Sequence, residues 1–173
     1  MIRRLSRATR HNRFHGGINE LPADTLRSMT QVDYRRHLAF VVTTSCMDKD
    51  SDNEIVVADA PYVIDDRGDG AEFAIVVDDR WQRIGLGERA MHALVDAASR
   101  DGLLWLHGSV LSANAPMLSL MRRCRFCCTP DREDDHLVHV ETRLGRTMSK
   151  RAATHERTRP LGWLASSRAP APT

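Results

Sequence analysis

No stretch of this sequence reaches the roughly 18 consecutive apolar residues that a membrane-spanning helix needs, so a membrane role is not expected. The opening residues MIRRLSRATRHNRFH are basic but have no apolar region behind them, which argues against a secretory signal and for a cytoplasmic protein. Aromatic residues are scarce, at 5%, and Trp163 is the one aromatic set among the basic residues of the tail. A stacking platform for nucleic acid is therefore not expected. Four cysteines do not make a disulfide framework in a chain of this size. Cys124, Cys127 and Cys128, followed by His136 and His139, suggest a metal knot. However, the step from Cys127 to His136 is shorter than a zinc finger uses, so packed thiols and no metal are expected. No Gly-Lys-Ser/Thr occurs, which excludes a phosphate-binding P-loop.

What is present is a chain of 173 residues, a length that suits one domain. Its net charge of +2 conceals a division. Residues 1–15 carry five Arg and no acid, and residues 143–173 carry seven Lys or Arg against Glu156 alone. The stretch between them holds 13 basic and 22 acidic residues. An acidic body steers basic acceptors such as amines or lysine-bearing surfaces.

Along the chain, about 2–12 and LPADTLRSMTQVD (21–33) read as short helices. HLAFVVTTS (37–45) reads as a strand, the acidic CMDKDSDNE (46–54) as a turn, and IVVADAPYVID (55–65) as the return strand, bent or bulged at Pro61. AEFAIVV (71–77) is the next strand. A loop then leads into the helix of residues 86–102, where Leu86, Ala90, Leu94 and Ala97 recur at helical spacing. LLWLHGSVL (103–111) is a strand, Asn114 caps the helix APMLSLMRRC, and RFCC and HLVHVETRL are two more strands. The class is mixed α/β: an antiparallel meander, then a parallel pair of strands joined by a crossover helix. The expected division is a domain over 1–145 and a flexible basic tail over 146–173.

The chemistry concentrates in VVDDRWQRIGLGERAM. A loop with two glycines running into a helix turns several backbone N–H groups toward one point, and the helix N-terminus adds partial positive charge. Such a loop suits a pyrophosphate. Gly85-x-Gly87-x-x-Ala90 also fits a dinucleotide fingerprint. That reading fails, because seven residues separate Val77 from Gly85 and no acid lies near Trp105, about 20 positions on.

Gln82-x-x-Gly85-x-Gly87, the strand AEFAIVV before it and GSVLSANAPMLSLMRRCRF after it resemble the GNAT superfamily of N-acetyltransferases over roughly residues 13–144. RFHGGINELPADTLRSMTQVDYRRHLAFVV, with AEFAIVV, is similar to the bacterial Pat-type protein-lysine acetyltransferases. The resemblance implies the GNAT fold and acetyl-CoA as co-substrate, bound where strands 71–77 and 103–111 splay apart. It implies that the main chain of Ile75 and Val77 holds the pantetheine arm, that Gln82, Arg83, Gly85, Leu86 and Gly87 hold the pyrophosphate, and that Asn114 reaches the cofactor. A lysine amine with pKa near 10.4 must lose a proton before it attacks, so a general base is required. The resemblance assigns that base to Glu72, whose face of the strand also carries Ala74 and Val76. His107 is a second base or, more simply, a core histidine.

Departures from the pattern set alternatives. Ile84 replaces a frequent cation, with Arg83 to compensate, and Cys124-Arg125-Phe126 stands where the family has Leu-Gly-Phe. Neither Tyr34 nor Tyr62 lies where many members keep a tyrosine acid. The family's first strand is not found before strand 37–45, which would then be an open edge; a start further upstream, a homodimer partner covering the edge, or a degenerate relative of the family are the expected alternatives. The expected acceptor is a protein lysine. A small amine of the polyamine or aminoglycoside kind, or a non-catalytic acyl-CoA-binding module, are the alternatives.

Overall fold

The structure, a computed structural model, describes residues 1–14, 36–48 and 51–145. The helix expected over 21–33 and the tail over 146–173 lie outside the described residues. The described chain starts with a 3₁₀ turn, Ile2–Arg4, and helix α1, Arg7–Phe14. Strands β1 (His37–Asp48) and β2 (Ser51–Ile64) form a long antiparallel hairpin. The acidic stretch 46–54 is therefore mostly strand rather than turn. Ladder pairing satisfies its backbone without needing apolar side chains.

β3 (Gly70–Phe73) and β4 (Val76–Val77) follow, both antiparallel to β2 in one continuous register. The expected strand 71–77 is thus a single path, interrupted at Ala74 and Ile75. The irregularity in the hairpin also differs from expectation. Ala58 faces Val42 and Val56 faces Thr43, which leaves Val57 as the extra residue of a bulge, while Pro61 pairs in register with Ala39. The Val57 carbonyl accepts the N–H of Asp78 instead, at 2.8 Å.

Helix α2 (Leu86–Arg100), strand β5 (Trp105–Leu111), helix α3 (Ala115–Arg123) and strands β6 (Cys127–Pro130) and β7 (Leu137–Arg143) complete the described fold. The sheet order is β1-β2-β3-β5-β7-β6, with β4 beside β2. Among the described strands only β3 and β5 run parallel, through the α2 crossover, and they pair over just Gly70–Glu72 against Trp105–His107. β1 and β6 are the edges of the described sheet. No described helix is long and apolar enough to cross a membrane.

The apolar face of α2 explains where the core sits. Met91, Leu94 and Ala98 are fully buried against Ala60, Tyr62, Ala71, Phe73 and Leu106 of the sheet and Leu118 and Met121 of α3. Truncating Leu94 to Ala would leave a cavity costing about 2–5 kcal/mol. Of the cysteines with described side chains, Cys124 is buried, Cys128 half-buried and Cys127 exposed. The expectation of packed thiols therefore fits Cys124, whose thiol pKa is pushed up by burial, and does not fit Cys127. His107 is not a core residue either. It is half-buried, with Nε2 3.0 Å from the Asp65 carboxylate and its ring stacked on His139. Arg125 adopts φ +64°, taking the left-handed conformation that suits a glycine at that place.

Candidate active site

The short β3–β5 ladder decides the geometry of the site. Gly70–Glu72 are the last residues of that strand path to pair with β5, and beyond them the two strands separate. The N–H groups of Ala74 and Asp78 reach β2, bonding the carbonyls of Pro61 and Val57. Alternation along the same strand turns the main chain of Ile75 and Val77 the other way, toward the gap. The gap opens into a cleft of about 340 Å³ lined by Ile75–Val77, Gln82, Arg83, Gly85, Gly87 and Glu88, with Asn114, Met117 and Leu120 opposite and Thr9, Asn12 and Arg13 of α1 closing one side. A smaller cavity of about 90 Å³ lies at the apex of the splay and includes Glu72, Phe73, Ala74, Ser109 and Val110. Asn12, Arg13, Ile75, Asn114 and Met117 line both.

The loop between β4 and α2 is strongly shaped. Asp78 caps the 3₁₀ turn Asp79–Trp81 by accepting from the Arg80 N–H. Two left-handed residues then follow, Arg83 at φ +63° and Gly85 at φ +86°. Alternating backbone hand of this kind gathers successive N–H groups into a concave anion nest. Gly85 is also the N-cap of α2 and has no side chain to satisfy the first-turn N–H groups, so these stay free for a ligand. A Cβ on Gly85 meets nothing within 4 Å, so the glycine answers a conformational need. At Gly87 the reason is close packing, since a Cβ there would meet Leu120 Cδ2 at 3.2 Å. Leu86 is half-buried at the start of α2, Ile84 is 59% exposed, and Arg83 is among the residues that line the cleft.

Gln82 spends its side chain within the protein. Its Nε2 donates to the Val77 carbonyl at 3.0 Å and to Thr9 Oγ1 at 3.3 Å. Of the cleft-facing main-chain groups, this leaves the N–H of Val77 and both polar groups of Ile75. Asn114 is buried and caps α3, with Oδ1 accepting from Met117 N at 3.3 Å; its amide nitrogen is left for the cleft.

The N-terminal arm was not foreseen as part of this site. Asp79 receives the Ser6 N–H (2.8 Å), the Ser6 hydroxyl (2.7 Å) and the Thr9 hydroxyl (2.6 Å), clamping the first turn of α1 to the loop. Burial alone would raise the Asp79 pKa, but the bonds from Thr9 and Ser6 outweigh it and hold the carboxyl below its usual value. Arg4 donates to the Val56 carbonyl at 2.8 Å and lies 3.5 Å from the Asp78 carboxylate, which is buried and also meets Arg80. The last turn of α1 brings Arg13 to the smaller cavity that Glu72 also lines, and the charges of Asp59 and Glu72 act on its guanidinium. Burial lowers the Arg13 pKa, and Asp59 and then Glu72 oppose that shift. Burial raises the Asp59 pKa, against the pull of Arg13 and His37. Glu72 itself is exposed on the face away from α2. Tyr62 lines neither cavity. It is buried, bonded to Asp101, and its phenol is held well above its ordinary pKa by burial and that bond.

Comparison with known proteins agrees with this architecture. The pattern of the Acetyltransferase (GNAT) family matches residues 18–126. An acetyltransferase of Pseudomonas aeruginosa is 31% identical over 144 residues, which cover 83% of this chain and 74% of that protein. Among solved structures, the GNAT domain of S. lividans PAT superposes with a TM-score of 0.71 at 21% identity, over 82% of this chain and 80% of that one. A cAMP-binding acyltransferase from Mycobacterium smegmatis superposes with a TM-score of 0.55 at 27% identity. There the match covers 80% of this chain but 40% of that one.

Proposed function

The chain belongs to the Acetyltransferase (GNAT) family of acyltransferases, and from that premise we propose that it transfers acetyl from acetyl-CoA to the amine of a protein lysine, with Glu72 as general base. The observation that carries the reading is the join of two parts: an anion nest at Arg83–Gly87, and a gap in the sheet that leads from it to Glu72. In this proposal the uncapped first turn of α2 and the nest hold the pyrophosphate. The main chain of Ile75 and Val77 pairs with the pantetheine arm as an added strand would, and the Asn114 amide supports it. Arg83 supplies the charge that Ile84 does not.

Transfer requires the ammonium of the acceptor to lose its proton. Glu72, directly or through one water, takes it, and the neutral nitrogen attacks the thioester carbon. A second proton passes from the nitrogen to solvent water as the C–S bond breaks, and the products are the amide and the CoA thiolate, with Glu72 holding the first proton until it too is lost to solvent. Glu72 in the smaller cavity offers a carboxylate to a cationic acceptor. The exposure of Glu72 on an open sheet face supports a large acceptor, such as a lysine on a protein surface, over a buried small amine.

The test follows release of the CoA thiol from acetyl-CoA with lysine-bearing proteins and peptides beside polyamines and aminoglycosides. Saturable release with the lysine acceptors, at a donor KM on the order of 1–100 μM, is the expected result. Preferential turnover of the small amines would replace the acceptor assignment. Binding of acetyl-CoA without release on any acceptor would replace it with a non-catalytic acyl-CoA-binding module.

A further inference from the structure

Breaking a thioester C–S bond places a full negative charge on sulfur, and a site that leaves that charge uncompensated slows the step. The sulfur must sit where the donor cleft meets the acceptor cavity. Five residues line both spaces, and Arg13 is the charged one among them. Arg83 and Arg123 line the larger cleft alone, and Arg123 is engaged with Glu88 at 3.3 Å. No tyrosine or cysteine lines either space among the described residues, so none of those residues offers a phenol or thiol to protonate the departing sulfur.

We infer that Arg13 is a catalytic residue of the proposed transfer, its guanidinium neutralising the CoA thiolate as the C–S bond breaks. The balance is simple. The nitrogen–carbon bond forms, the carbon–sulfur bond breaks, the electron pair goes to sulfur, and the thiolate takes its proton from water after departure. Arg13 stays protonated throughout, as a guanidinium does at neutral pH even when burial opposes it.

Two features hold it for that task. The Phe14 ring lies 5.1 Å from the guanidinium carbon and gives it a face to rest on. The α1 helix that carries it is clamped by Asp79 and touches Gln82 through Thr9, so Arg13 is anchored to the loop proposed to grip the donor's pyrophosphate.

The inference rests on the acetyltransferase reading, and its test separates the two. Acetyl-CoA binding and steady-state transfer are measured on the full chain for the wild type, Arg13→Gln, Arg13→Lys and Arg13→Ala. The expected result is a fall in kcat of about 100-fold in Arg13→Gln, with the donor Kd and the acceptor KM within about threefold of wild type. Arg13→Lys keeps the charge and should regain a substantial part. Millimolar guanidinium ion should partly restore Arg13→Ala and leave the wild type unaffected, a rescue that a merely structural role would not give. An unchanged kcat with a raised acceptor KM would make Arg13 an acceptor counter-ion, and a raised kcat would make it an obstruction; either overturns the inference. Loss of kcat in Arg13→Gln alongside full activity in Glu72→Gln would keep Arg13 and remove Glu72 as base. A wild type that binds acetyl-CoA but transfers to no amine removes both.

Discussion

The two halves of the cleft are put together differently. The half proposed for the donor has a local wall: β4, the loop and the first turn of α2 form one short run of sequence, which α3 and α1 face across the cleft. The half proposed for the acceptor collects Arg13, Glu72 and Ser109 from three separate elements, and the charge of Asp59 acts on Arg13 from a fourth. A local site can be written as a motif, because fixed spacing and two left-handed positions are enough to build it. A non-local site is specified only by the fold, so its residues carry no shared spacing. The comparison predicts that the halves fail independently: changes at Arg83–Gly87 weaken donor binding, and changes around the apex or to the placement of α1 slow transfer.

The largest expected effect lies on the acceptor side. Glu72→Gln should lower kcat by about 10²–10³-fold while donor affinity holds, read by initial rates beside equilibrium binding. Full turnover in that variant would dissolve the distinction between the halves.

Asp79→Ala tests the link between them. With the clamp on Ser6 and Thr9 gone, α1 loosens and Arg13 loses its anchor, and turnover should fall by about tenfold with little change in donor Kd. The same residue makes a pH prediction. Its folded pKa is depressed from 3.8, so across that window the unfolded chain binds more protons and stability rises with pH. The contribution is whole above the ordinary aspartate value and is lost as pH falls through the folded one. The difference in urea midpoint between wild type and Asp79→Ala should therefore be steady from about pH 5 to 8 and shrink below about pH 4.

The smallest effect should touch neither half. Arg125→Gly relieves a left-handed backbone outside the cleft and should raise stability by about 0.5–1 kcal/mol, visible as a melting point higher by about 2 °C. Kinetic constants should stay at wild-type values.

Much of the donor half was readable in the sequence, and the reasons are particular. Gln82, Gly85 and Gly87 stand at a spacing that few other loops need, and the run AEFAIVV before them and the cap at Asn114 after them lie where the fold places the cleft walls. Two details escaped. The Gln82 side chain braces Val77 and Thr9, and Gly87 is small for the sake of Leu120; both depend on contacts that spacing does not encode. The Asp-rich stretch 46–54 has the composition of a turn, yet a two-stranded ladder extends through most of it by backbone pairing alone. In the acceptor half, Glu72 was noticed as an acid on an apolar strand. The same reasoning applied to Asp59, an acid inside IVVADAPYVI, would have found it as well. Arg13 had no such signal, since one Arg among five in a basic stretch looks like any other until α1 is placed beside β3.

The most direct measurement is a calorimetric titration of acetyl-CoA into the wild type, Glu72→Gln and Gly85→Val. A branched residue at φ +86° should distort the nest at a cost of about 2 kcal/mol, weakening the donor Kd about 30-fold, while Glu72→Gln binds as the wild type does. Equal affinity in all three would contradict the claim that the Gln82–Gly87 loop holds the donor.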